Sequence, residues 1–140
     1  MKILLAVDGS EHTKRMLSYV AAHEELLGPA HEYILCTVVA PIPPNAKRFL
    51  DHGVLDSYYE EQWDRVLRPL QRFVGQQGWR VQTRHPVGYP PETIASLAEQ
   101  EKVDLIVMGT HGHTSLGNVI LGSVATGVID RSPCPVLLVR

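Results

Sequence analysis

The chain is poor in most of the features that would assign it quickly. Cysteine is scarce: Cys36 and Cys134 are the two in 140 residues, and neither sits in a CxxC pair or near a ligand set. That argues against a disulfide framework or a thiolate zinc site and leaves two buried free thiols in a reducing compartment as the expectation. Neither sign of charge is in excess, since 13 Lys and Arg against 15 Asp and Glu give a formal net charge of -2. The basic residues are also scattered, so nucleic acid is not an expected partner. Long hydrophobic runs are missing too. No segment approaches the ~20 apolar residues of a membrane span. The opening Met1-Lys2-Ile3-Leu4-Leu5-Ala6-Val7-Asp8 is a short apolar run stopped by an acid, too short for a signal-peptide core and its cleavage site. A soluble, cytoplasmic protein without membrane contact is expected.

What the sequence does contain is a series of short apolar runs, each followed by a turn and a helical pattern. Ile3 to Val7 reads as a strand covered on both faces, and Asp8-Gly9-Ser10 as a turn with Ser10 as N-cap. Met16, Leu17, Val20, Ala21 and Leu27 recur at helical spacing, predicting a helix from Glu11 to Leu27 that Gly28-Pro29 ends. A second strand runs from Tyr33 to Val39, and residues 40 to 53 form an irregular loop. The stripe Tyr59, Trp63, Val66, Leu67, Leu70, Phe73 and Val74 predicts a helix over 54–77 that Pro69 should kink or split. Trp79 to His85 alternates like a strand near a sheet edge. A short helix from Pro91 or Glu92, a strand over Asp104 to Met108, a helix over Ser123 to Asp130 and a final strand over Pro135 to Val139 complete the pattern.

Five strands alternating with four helical segments predict one domain over 1–140. Its fold class is α/β: a doubly wound five-stranded parallel sheet with helices on both faces, Rossmann-like. Ligands of such sheets gather beyond the carboxyl ends of the strands, where the strand order reverses. Asp8, the segment Val38 to Ala40 and the segment Gly109 to Gly112 all stand at strand carboxyl ends.

The most informative stretch is Gly109-Thr110-His111-Gly112, followed after nine residues by Gly122-Ser123. Glycines permit positive φ and a close approach of backbone to ligand, and a following helix offers unpaired N–H groups and its positive dipole end to an anion. The spacing is neither GxGxxG nor the Walker pattern. It predicts a phosphate site, with the alternative that these are turn and packing glycines. A side chain at Gly122 is expected to block phosphate approach. His111 and His113 form an HxH pair without a third ligand, too little for a metal site.

The opening Lys2 to Ser10, the middle Asp104 to Gly112, Leu121-Gly122-Ser123-Val124-Ala125 and the end Ser132 to Val139 together resemble the universal stress protein family, in the family's order and along almost the whole chain. The complete glycine pattern is that of the family's ATP binders, so the resemblance implies ATP as ligand, with Mg. It implies that Asp8 lies near the ribose and the metal-bound phosphates, that the Val38 backbone meets the adenine edge, and that Ala6 sits beside the base. Met108 and Gly109 then surround the ribose, and Gly112, Gly122, Ser123 and Val124 cradle phosphate. Val7, Thr110 and His113 complete the expected set. His113 stands where some binders carry lysine or arginine, and a protonated imidazole there would favour ATP at acid pH.

The resemblance further implies a homodimer through the final strand, Val136 to Val139, whose apolar edge would otherwise invite aggregation. The implied role is a stress-response or regulatory module whose nucleotide occupancy changes its contacts with a protein partner. The alternative is a slow Mg-dependent ATPase or a nucleotidyl-transfer relative. Two other small α/β readings fit worse. A phosphoryl-accepting receiver would cluster acids at the first and third strand ends, where Asp8 stands alone. A flavodoxin would place a Ser/Thr-rich phosphate loop after the first strand, where Glu11 is unwelcome.

Overall fold

The computed structural model describes residues 1–113 and 120–140; residues 114–119, inside the spacer of the glycine pattern, lie outside them. In chain order the elements are β1 (Lys2–Ala6), α1 (Glu11–Ala22), α2 (Glu24–Leu27), β2 (Glu32–Cys36), α3 (Pro44–Lys47), α4 (His52–Gln76), β3 (Arg80–Arg84), α5 (Pro90–Gln100), β4 (Leu105–Gly109), α6 (Ser123–Arg131) and β5 (Val136–Val139). The strands form one sheet in the order β3-β2-β1-β4-β5, and every pairing is parallel. The chain therefore winds outward from β1 to β3, returns to the other side of β1 and winds out again. The order reverses between β1 and β4.

The period of two along each strand sorts the apolar residues onto two faces. Ile3, Leu5, Leu35 and Val107 pack with Met16, Leu17 and Val20 of α1 and Leu67, Leu70 and Val74 of α4. Leu4, Ile34, Cys36 and Ile106 pack with Ile94 and Ala98 of α5 and Ala125 and Val128 of α6. Helices thus cover both faces, and the central strands read as unbroken apolar runs because neither face meets water. Among the described residues no helix is long and apolar enough to cross a membrane.

Several boundaries differ from the sequence expectation. The predicted helix Glu11 to Leu27 is two helices, because His23 (φ -117°, ψ 54°) leaves the helical region. Its Nδ1 donates to the Tyr19 carbonyl at 2.7 Å and its ring stacks on Tyr19 at 4.0 Å, so a side chain ends α1 before Gly28 does. The ladder of β2 stops at Cys36, short of Val39. Extended pairing nevertheless continues, with Thr37 N–H on Arg84 O and Val39 N–H on Pro86 O, both at 3.1 Å. The loop after it contains the short α3, started by proline at its N-terminus.

Pro69 neither splits nor ends α4, which runs 25 residues through it. Pro69 is exposed while Leu67 and Leu70 are buried. The carbonyl freed by its missing N–H therefore lies on the water side of the helix, where solvent satisfies it. Of the two free thiols Cys36 is buried, as expected, but Cys134 is only half-buried. Cys134 belongs to the turn before β5, where Ser132 Oγ donates to its carbonyl at 2.7 Å and holds it near the surface.

Candidate functional site

The reversal of strand order leaves a cleft of about 680 Å³ above the carboxyl ends of β1, β2 and β4. Its walls have two characters. One end is apolar: Ala6, Cys36, Ile94, Met108 and Ala125 belong to the core shared with α5 and α6, and Val38 packs against that core. The core is in effect open at this end, with Ala40 and Pro90 extending the wall. The other end is polar, with Asp8, Thr13, Gly109, His111, Gly112, His113, Gly122 and Ser123.

Asp8 is fixed by the turn that follows β1. Its Oδ1 accepts from Ser10 N–H and from the Thr13 hydroxyl, each at 2.9 Å, and its own N–H donates to Thr13 Oγ1 at 3.0 Å. Across the mouth, His113 Nε2 lies 2.6 Å from the Asp8 carbonyl. The acceptor is a carbonyl, so Nε2 carries the proton and His113 ties the glycine loop to the β1 turn. His111 lines the cleft, its ring centroid 5.1 Å from that of His12. His12 Nδ1 is buried and has no hydrogen-bond partner among the described residues.

The glycine loop is closed at its base by two backbone bonds. Thr110 N–H donates to Val139 O at 3.1 Å, and Thr110 O accepts Gly122 N–H at 2.8 Å. Gly122 is the N-cap of α6 and supplies no side-chain acceptor; the first amide returned to the helix is Thr126 N–H on Gly122 O at 3.0 Å. The first-turn amides of Ser123, Val124 and Ala125 therefore have no intrahelical acceptor, and all three residues line the cleft.

Positive φ is not why the pattern needs glycine. Among the described residues only Gly9, Gly78 and Lys102 have positive φ. What matters is the missing Cβ. At Gly109 a Cβ would stand 2.8 Å from His12 Cβ, at Gly112 it would stand 2.6 Å from Asp8 Oδ2, and at Gly122 it would stand 3.1 Å from Thr110 O and 3.2 Å from His111 Cα. Gly122 thus faces its own loop, and a side chain there strains the loop closure before it reaches any ligand.

The structure brings together Ala6, Val7, Asp8, Val38, Met108, Gly109, Gly112, His113, Gly122, Ser123 and Val124 around the cleft. Val7 places its side chain in the α1 and α4 core. Thr110 is buried behind the loop and closes it instead of lining the cleft. Ala40 and His111, in the segments expected at the strand ends, also line the cleft, whereas sequence reasoning missed Thr13, Cys36, Pro90, Ile94 and Ala125 as wall residues. The period of two from Val38 would have found Cys36. Pro90 and Ile94 carry no signal until the sheet order places α5 beside β1.

Comparison with known proteins decides the family. The universal stress protein family profile matches residues 1–140. The chain belongs to this family. A universal stress protein of Thermus aquaticus is 36% identical over 99% of this chain and 97% of its own length. Universal stress protein MJ0577 of Methanocaldococcus jannaschii is 32% identical over 99% of this chain and 94% of its own. The solved structure of MJ0577 matches with a TM-score of 0.84, at 33% identity over 99% of this chain and 94% of that one. The match to MJ0531 of the same organism is 37% identical and covers 62% of this chain and 51% of that protein. A universal stress protein solved in complex with cAMP shares the fold, with a TM-score of 0.67 and 24% identity.

Members of the universal stress protein family thus share this five-stranded parallel architecture. The cleft at the strand reversal is the feature of this member on which a functional reading can be built. Its described walls carry no lysine or arginine, so Asp8 is the only side chain there with a fixed formal charge. Burial pushes the Cys36 thiol up to about 12, only partly offset by the Arg84 guanidinium. Cys36 is therefore an apolar wall residue and not a nucleophile.

Proposed function

We propose that this universal stress protein binds ATP together with Mg, and that occupancy changes the surface it offers to a protein partner. The observation that carries the reading is the two-ended cleft. An apolar strip of Ala6, Val38, Ala40, Pro90, Ile94 and Met108 suits a flat base, and the uncapped first turn of α6 opposite Asp8 suits a phosphate chain. Its volume of about 680 Å³ lies within the range of small-molecule sites.

The charge balance fits a nucleotide that arrives with a cation. Without lysine or arginine in the described walls, the α6 amides and the two histidines face a polyanion, and Asp8 repels it. Asp8 Oδ2 would hold the cation through one oxygen, and the described residues contain no cluster of three His, Cys, Asp or Glu to bind it alone. The metal, when bound, supplies charge neutralisation to the phosphates. Fast phosphoryl transfer is not what these residues favour, because the described walls offer no arginine or lysine for the charge that develops on a transferring phosphoryl group.

We further propose a homodimer through β5, the sheet's edge, where Val136, Leu137 and Leu138 remain only half-buried, and a cytoplasmic location. Two measurements test the nucleotide reading. Mass spectrometry of small molecules released from the purified protein should find an adenine nucleotide. Titration calorimetry should show ATP binding more tightly with Mg than with EDTA. Absence of both signals overturns the reading.

A further inference from the structure

We propose that Thr13 is a positioning residue that holds Asp8 with a single working oxygen, Oδ2, turned toward the glycine loop. The proposal rests on the nucleotide reading above for its ligand, and on the hydrogen bonds of the β1 turn for its mechanism.

Thr13 is buried, with 3% of its surface exposed, and sits in the first turn of α1. A threonine hydroxyl has one proton to give and lone pairs to accept with. Here both functions go to one residue: Oγ1 accepts the Asp8 N–H at 3.0 Å and donates to Asp8 Oδ1 at 2.9 Å. Ser10 N–H supplies a second donor to the same oxygen at 2.9 Å. Among the described residues the donors to this carboxylate thus all fall on Oδ1. Oδ2 is left facing Gly112, where a Cβ would stand 2.6 Å from it.

This division of the carboxylate has a chemical consequence. A carboxylate with both oxygens free can chelate a cation or grip two hydroxyl groups. One pinned at Oδ1 offers a single anionic acceptor at one place, on the phosphate side of the cleft. Such an acceptor would give a phosphate-bound cation one carboxylate oxygen to bind. Removing the Thr13 hydroxyl leaves Oδ1 held by the Ser10 N–H alone, so the carboxylate turns more freely and the acceptor is held less closely where the loop needs it.

The test compares Thr13→Val, which keeps the shape and removes the hydroxyl, with Thr13→Ser, which keeps the hydroxyl. In calorimetry with ATP and Mg, Thr13→Val should lose ~10-fold in affinity, the equivalent of one weakened hydrogen bond to a charged group. In EDTA its loss should be smaller than with Mg, because there Asp8 only repels the phosphates. Thr13→Ser should match wild type in both. Without nucleotide, the Asp8 Hα–Hβ couplings measured by NMR should report one χ1 rotamer in wild type and Thr13→Ser and averaged rotamers in Thr13→Val.

Equal losses for Thr13→Val and Thr13→Ser, equal losses with and without Mg, or a single Asp8 rotamer in Thr13→Val would each overturn the proposal. A wild type that binds no adenine nucleotide, combined with averaged couplings confined to Thr13→Val, overturns the proposed ligand and leaves the positioning role standing.

Discussion

Replacing Gly112 with alanine puts a methyl group where Asp8 Oδ2 already is. The new Cβ would stand 2.6 Å from Oδ2 and 3.8 Å from Cγ, and real Cβ atoms essentially never approach another atom below 3.0 Å. The end of an aspartate can usually swing aside at little cost. Here it cannot, because Oδ1 is held by Ser10 N–H and the Thr13 hydroxyl at 2.9 Å each. Hydrogen bonds to charged groups are worth roughly 1.5–3 kcal/mol net apiece, and a displacement that bends both without breaking both should destabilise the folded protein by about 1–3 kcal/mol. Gly112 does not have positive φ, so the backbone itself accepts alanine. In an Asp8→Ala background the clashing atom is gone, and the same substitution should be neutral or stabilising by up to ~1 kcal/mol through the unfolded chain. The assay is urea denaturation of wild type, the two single variants and the double variant, all without nucleotide and in EDTA. The four stabilities should give a coupling of about 1–3 kcal/mol between the positions. Additivity within ~0.5 kcal/mol would refute the claim that Gly112 is glycine to make room for Asp8.

Three further outcomes follow from the packing. Tyr33 is buried and its hydroxyl donates to the carbonyls of Leu27 and Gly28; Tyr33→Phe leaves them without that donor and should cost about 1–2 kcal/mol in urea unfolding, and no measurable loss would mean that water replaces the bond. Burial raises the Cys36 thiol from 9.0 to about 12, so the unfolded thiol ionises first. The stability this gives is complete below pH 9 and is lost as pH rises toward 12, at ~1.4 kcal/mol per pH unit. Cys36→Ala should flatten that slope between pH 9 and 10, where Tyr33, raised from 10.0 to about 12, contributes less because its unfolded phenol is at most half ionised; an unchanged slope would refute the assignment. Leu137→Arg on the half-buried edge strand β5 should convert the proposed dimer to a monomer in sedimentation, and a mass equal to wild type would place the interface elsewhere.

The fold was legible because its signals are local. Runs such as Ile3 to Val7 and Leu105 to Met108 are apolar throughout, which in a short segment means a strand covered on both faces, and each is followed by turn chemistry and a helical period. What misled were residues whose effect depends on what surrounds them. His23 ends α1 through a bond to Tyr19 O that no propensity contains. Pro69 does not split α4, because it faces water. In the cleft, Asp8 and the glycine pattern were readable, since both stand at strand ends. Thr13 was not, because its hydroxyl acquires a role only once the β1 turn folds back and brings it within 2.9 Å of Asp8 Oδ1. Pro90 and Ile94 were hidden for a topological reason: α5 follows β3 at the sheet edge in sequence, yet covers the centre in space.

The glycine pattern predicts either a phosphate site or turn and packing glycines, and at Gly109, Gly112 and Gly122 the structure shows a packing reason. Each missing Cβ makes room for the protein itself: Gly109 for His12, Gly112 for Asp8, Gly122 for the carbonyl of Thr110. Gly109 and Gly112 let the end of β4 and the residues after it lie directly against the β1 turn and the start of α1, Gly122 lets the loop close on itself, and His113 fastens the contact through the Asp8 carbonyl. Their tolerance should therefore differ according to what each one faces. Gly122 meets backbone at 3.1 Å, where a shift of a few tenths of an ångström suffices, and Gly112 meets a carboxylate that is movable only at the expense of its bonds. Gly109 meets His12 Cβ at 2.8 Å and its backbone carbonyl carbon and oxygen at 3.2 Å, none of which can leave. Removing the His12 ring would not relieve Gly109→Ala, since alanine at position 12 keeps the Cβ and the carbonyl. The pattern therefore marks the proposed phosphate site indirectly. It records that two segments are pressed together at the strand reversal, and the proposed anion binding rests on what that contact exposes, the uncapped first turn of α6 and a fixed Asp8 in one cleft.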